Sequence, residues 1–108
     1  SDALRRRCLY LYIAYPELDR EIAIIRARFP QICEDLAKQM VEFLRKTRDL
    51  NLRKPPSISE ALDWAQALSI LSTSRLTPNV VGSTGGAIIK HQNDMQKVME
   101  LAEKELTE

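Results

Sequence analysis

"KPPSISEALDWAQAL", residues 54–68, holds two prolines, a serine followed three residues later by a glutamate, and then apolar residues at helical spacing. Proline lacks the amide proton that continues a helix and restricts the residue before it, so any preceding helix must end before Pro55. Ser57 with Glu60 forms a capping-box pattern: the serine oxygen takes an orphan backbone N–H, and the glutamate reaches back to the serine's own. Leu62, Ala65, Leu68 and Leu71 then recur at three-residue steps and predict a helix with one buried face. The stretch is a helix stop, a turn and a helix start, and the chain on either side has the same period.

Upstream, Leu18, Ile22, Ile25 and Phe29 mark a helix over about residues 16–29. Glu17 and Asp19 suit the positive end of its dipole, and Pro30 closes it. Ile32, Leu36, Met40, Phe43 and Leu50 mark a second helix, with Glu34, Lys38, Glu42, Arg45 and Lys46 on its wet side. Downstream, Thr77 is the expected N-cap of a fourth helix, with Pro78 at its first position. Ile88, Met95, Met99, Ala102 and Leu106 follow at helical spacing. Gly82, Gly85 and Gly86 interrupt that helix; each glycine in a helix interior costs about 1 kcal/mol relative to alanine, so a kink or break is expected there. The fold class that follows is all-α: a small bundle of about four helices.

One segment departs from this period. "CLYLYIAY", residues 8–15, has leucines, tyrosines and Ile13 on both alternating faces, the pattern of a strand buried on both sides of a sheet. Nothing else in the chain reads as a strand, and a lone central strand has no partners for its backbone groups. Either the segment joins a helix or loop here, or its sheet lies in a part of the protein outside this chain; the second explanation is favoured.

The chain has 108 residues, of which 44% are apolar and 29% charged, as suits one globular domain with a modest core. A net charge of +1 provides no global field for nucleic acid or an anionic membrane. No apolar run nears the roughly 20 residues needed to span a bilayer, and no charged-then-apolar leader opens the chain. A soluble, cytoplasmic protein is expected. Cys8 and Cys33 fit free thiols rather than a zinc or redox pair.

Catalytic groups are sparse. His91, the single histidine, reads as a solvated or half-buried side chain, and Asp94, Glu100, Glu103 and Glu105 as solvated carboxylates of the last helix. "GSTGG", residues 82–86, lacks the lysine of a phosphate loop and reads as a bend. Trp64 shares the spacing of its apolar neighbours and is expected in the core. Two basic runs remain, "RRR" at 5–7 and "RKTRDLNLRK" at 45–54. Both read first as solvated charge. The second has no interleaved aromatics to argue for nucleic acid.

The order of these features resembles a known family. "DALRRRCLYLYIAYPELDREIAII", residues 2–25, resembles the junction between ATPase core and helical lid in AAA+ ATPases of the MoxR-like branch. Its marks are Ala3-Leu4, Arg6-Arg7, the strand-like run, and Tyr15-Pro16 leading into Ile22, Ala23, Ile24 and Ile25. "KPPSISEALDWAQAL" is similar to the lid-helix entry of the same branch. The resemblance implies that residues 1–15 end the core, with 9–13 as its last strand, and that residues 16–108 form the lid. Arg7 then matches the trans-acting arginine finger, with Arg6 as the alternative register; a guanidinium there would neutralise charge developing on the γ-phosphoryl group of the next subunit's ATP. Cys8 stands where many members carry phenylalanine.

Many such lids open their third helix with a small residue, proline and an arginine that reaches the nucleotide. Here Pro56-Ser57-Ile58-Ser59-Glu60 contains no arginine, which leaves Arg53 and Lys54 to bring positive charge from the preceding loop. Without the resemblance these two residues are a basic helix end that complements the C-terminal dipole. The resemblance further implies ATP and Mg2+ in the full-length protein, contacts with its own core and with neighbouring subunits of a homo-oligomeric ring, and a client protein that the ring remodels. The alternative is a stand-alone helical module that binds other proteins.

Overall fold

A computed structural model describes residues 15–107. The strand expected over 9–13, Arg6, Arg7 and Cys8 lie outside the described residues. Those described form five α-helices and one 3-10 turn, with no strand: α1 Leu18–Arg28, α2 Glu34–Arg48, α3 Ile58–Leu71, α4 Pro78–Thr84, the turn Gly85–Ala87, and α5 Gln92–Glu105. The all-α bundle is as expected.

Local chemistry accounts for most of the helix ends. Helix α1 has Asp19 and Glu21 in its first turn and Arg26 and Arg28 in its last, complementing the dipole at both ends, and it ends at Arg28, two residues before Pro30. The N-cap of α2 is Cys33, whose Sγ accepts the Leu36 N–H at 3.4 Å. At α3 the capping box of Ser57 and Glu60 forms, and the far end closes on Ser72 in the left-handed region at φ 56°. Thr77 caps α4 by accepting the Val80 N–H at 3.1 Å, with Pro78 as the first helical residue.

The single helix expected from Pro78 to Leu106 is broken between Thr84 and Gln92, around the glycines. Gly85 has an ordinary helical φ of −61°, so left-handed freedom is not why glycine stands there. A Cβ on Gly85 would sit 3.0 Å from the Met95 methyl carbon, so its bareness lets α5 approach the turn.

The core joins Ile25 of α1 to Leu36, Met40, Val41 and Leu44 of α2, Trp64 and Leu68 of α3, and Val98 and Ala102 of α5. Phe43 and Trp64 meet with ring centroids 6.1 Å apart and planes tilted by 48°, a favourable aromatic arrangement. Helix α1 packs on α2 and α3; α3 packs on the 3-10 turn and α4; α4 packs on α5. The buried stripe of α3 is Ala61, Trp64, Ala65 and Leu68, which puts Leu71 on its flank: Leu71 is 52% exposed rather than buried, beside Ile70 at 77%.

Candidate functional site

The loop between α2 and α3 carries Arg53 and Lys54, and its backbone is tied to the bundle at several points. At the α2 end the tie is Arg48. Its Nη1 and Nη2 donate to the two carboxylate oxygens of Glu21 at 2.8 and 2.7 Å, and its Nε donates to the carbonyl of Pro56 at 2.9 Å. Its Cζ lies over the Tyr15 ring, 4.0 Å from the centroid. Glu21 is fully buried, and the Arg48 side chain is 4% exposed. Such a fork-on-fork pair is among the stronger polar contacts available to a protein, and burial makes both partners depend on it.

In the middle of the loop the tie is Asp94, from the first turn of α5. Its two oxygens accept the backbone N–H groups of Arg53 at 2.9 Å and Lys54 at 3.0 Å. Lys97, one turn further along α5, donates to the Asn51 carbonyl at 2.7 Å. Burial raises the pKa of Asp94, but the two amides and the charges of His91 and Lys97 outweigh it and hold the carboxyl below its ordinary value. Asp94 is therefore not the solvated carboxylate expected from the sequence; it is 2% exposed.

At the α3 end, Glu60 accepts the Ser57 N–H at 3.0 Å and also the Ser57 hydroxyl. Burial again pushes this carboxyl up, while the Ser57 hydroxyl and amide, the glutamate's own backbone and the charge of Lys54 bring it below its ordinary value. The result is a loop with a fixed backbone and the side chains of Arg53 and Lys54 exposed to solvent. It can present positive charge to an anion.

The other cations of the 45–54 run are dispersed. Arg45 donates to the Pro16 carbonyl at 3.3 Å, Lys46 pairs with Glu105 at 3.2 Å, and Arg48 is buried. Arg45, Lys46, Arg53 and Lys54 are exposed, as the solvated reading expects, and Arg48 is the one cation of the run that departs from it. His91 is half-buried at the N-cap of α5 and makes no side-chain capping bond there. Trp64 is buried, as expected, and donates its Nε1–H to Thr84 Oγ1 at 2.8 Å. Among the described residues, no group of three or more His, Cys, Asp or Glu is placed to hold a metal ion. No helix among them is long and apolar enough to cross a membrane.

Of the three residues that organise the loop, Glu21 and Arg48 were not singled out from sequence, and Asp94 was read there as a solvated carboxylate. Each does carry a signal: a charge on an apolar stripe. Glu21 falls between Leu18 and Ile25, Arg48 follows Val41 and Leu44, and Asp94 precedes Val98 and Ala102, all at helical steps. A charge at such a position must find a buried partner.

Comparison with protein-family models, with curated proteins and with solved structures returned no match to this chain.

Proposed function

We propose that this chain is the helical lid of a MoxR-like AAA+ ATPase, joined through residues 1–15 to a nucleotide-binding core and coupling hydrolysis in a ring to remodelling of a partner protein. The observation that carries the reading is the α2–α3 loop. In the segment that resembles a lid-helix entry, Arg53 and Lys54 are exposed on a backbone fixed by Asp94 and Arg48, just ahead of a capped helix start. With the loop backbone already held, only the side chains of these cations need ordering when they meet a phosphate.

On this reading ATP and Mg2+ are bound mainly by the core, since the 108 residues contain no phosphate-loop motif. Arg53 and Lys54 contribute charge from the lid side, and Arg7 acts on the neighbouring subunit's nucleotide. The test uses the parent protein and the isolated chain side by side. Arg7→Ala in the parent should cut turnover far more than ATP binding, and the chain alone should not hydrolyse ATP. Unchanged turnover removes the role of Arg7; hydrolysis by the chain alone removes the lid assignment.

The second reading, a stand-alone interaction module, is favoured by the exposed Ile70 and Leu71 at the end of α3. The sequence upstream of Ser1 separates the two. A Gly-x-x-x-x-Gly-Lys-Ser/Thr loop there supports the lid, and a start codon at this position supports the module.

A further inference from the structure

Arg48 does more than neutralise Glu21. An ion pair needs one charge opposite another, and a lysine would supply that. The guanidinium here uses two terminal nitrogens on Glu21 of α1 and a third nitrogen on the Pro56 carbonyl, and its Cζ sits over the Tyr15 ring. These contacts involve three separate parts of the chain and share one rigid plane. One helical turn away, Arg45 donates to the carbonyl of Pro16, so Tyr15 and Pro16, just ahead of α1, are both in contact with arginines of α2. Pro56 lies two residues beyond Lys54, whose amide is fixed on Asp94. Because the guanidinium is one rigid unit, a shift of its Cζ with Tyr15 also shifts the Nε–H that holds the Pro56 carbonyl.

We infer that Arg48 is a positioning residue that couples the path of the chain at Tyr15 to the set of the loop carrying Arg53 and Lys54. The coupling itself stands on the four contacts alone. Its functional consequence rests on the lid reading: the loop facing the nucleotide would register the angle at which the lid leaves the core.

The test is made on the 108-residue chain by amide NMR and hydrogen exchange. Tyr15→Ala should shift the Arg53 and Lys54 amide signals and make their exchange about fivefold faster, the effect of weakening one net hydrogen bond. Amides of Val98 and Ala102 in the α5 core should be unchanged. In an Arg48→Lys background, which keeps a positive charge opposite Glu21 but not the shared plane, Tyr15→Ala should no longer affect the loop. If the loop amides ignore Tyr15→Ala, or respond equally in both backgrounds, the coupling does not exist. Should Arg48→Lys fail to fold, Tyr15→Phe decides: it keeps a ring beneath the guanidinium and should disturb the loop less than Tyr15→Ala, and an equal disturbance overturns the proposal. None of these readouts depends on ATP, so failure of the lid reading and failure of the coupling are told apart.

Discussion

Glu21 and Arg48 meet in a two-point contact, at 2.8 and 2.7 Å, in the seam between α1 and α2, where the carboxylate has no exposed surface. Taking two charges out of water is expensive, and the pair persists because each partner satisfies the other. Removing one partner should therefore cost more than removing both. Glu21→Leu or Arg48→Met alone is expected to destabilise the chain by about 3–5 kcal/mol, and the two together by much less than the sum. Urea unfolding of the four proteins checks this. Single variants within about 1 kcal/mol of the parent, the range of an exposed pair, would show that the contact is not buried in solution.

Asp94 makes stability depend on pH at the acid end. Burial works against its charged form, but the amides of Arg53 and Lys54 and the charges of His91 and Lys97 prevail, so its folded pKa lies below the ordinary 3.8. A depressed carboxylate stabilises the fold fully above its unfolded value, and the contribution is lost as pH falls through the folded one. Glu60 acts in the same direction, starting from 4.5. Stability should thus hold near neutrality and decline below about pH 4.5, with the Asp94 share going at the lower end. Asp94→Asn can accept one amide but presents an NH2 group to the other, at a cost of about 1–3 kcal/mol near pH 7. It should also flatten the acid decline. An equally steep decline in Asp94→Asn places the acid sensitivity elsewhere.

What could be read from sequence was local. Ser57 starts a helix through its box with Glu60 and Thr77 by accepting the Val80 amide, and Pro30 is a stop for an equally local reason, whereas α2 ends at Arg48, well ahead of Pro55. Cys33 was missed as a cap because a thiol is a weak acceptor outside the usual capping set. Leu71 was placed inside because the apolar stripe was centred one residue off; the buried line runs through Trp64 and Leu68, and Leu71 lies on its edge. The site was least legible. Arg48 finds Glu21 across 27 positions and Asp94 finds Arg53 across 41. Charge on an apolar stripe signals that such a partner exists, but only packing says which one.

Trp64 is the chain's one tryptophan and sits in the core with its indole N–H on Thr84 Oγ1, whose own hydroxyl donates to the Val80 carbonyl at 2.7 Å. Thr84→Val keeps the shape and removes the acceptor, leaving a buried donor without a partner at a cost of about 1–3 kcal/mol. Trp64→Phe removes donor and bulk together. In the double variant neither partner of the bond remains and no donor is orphaned, so the two losses should not add. Unfolding followed by circular dichroism gives all four stabilities, and the emission of Trp64 should be that of a buried indole until the main transition. Strict additivity would count against the 2.8 Å bond.

The glycines at 82–86 can be ranked by what a methyl group would meet. No glycine among the described residues has positive φ, so alanine is compatible with the backbone at each, and a glycine-to-alanine change then stabilises by about 0.4–1 kcal/mol through the unfolded chain. At Gly86 nothing lies within 4 Å of the new carbon, and the full gain is expected. Gly82 would meet the Met99 methyl carbon at 3.5 Å, an ordinary contact. Gly85 would meet the Met95 methyl carbon at 3.0 Å and its sulfur at 3.3 Å, so the thioether must move aside. Gly85→Ala should therefore be less stable than Gly86→Ala, although the flexible end of a methionine keeps the penalty modest. Thermal unfolding of the single variants gives the order directly. Gly85→Ala equal to or above Gly86→Ala would mean that α5 does not pack against the turn at this distance.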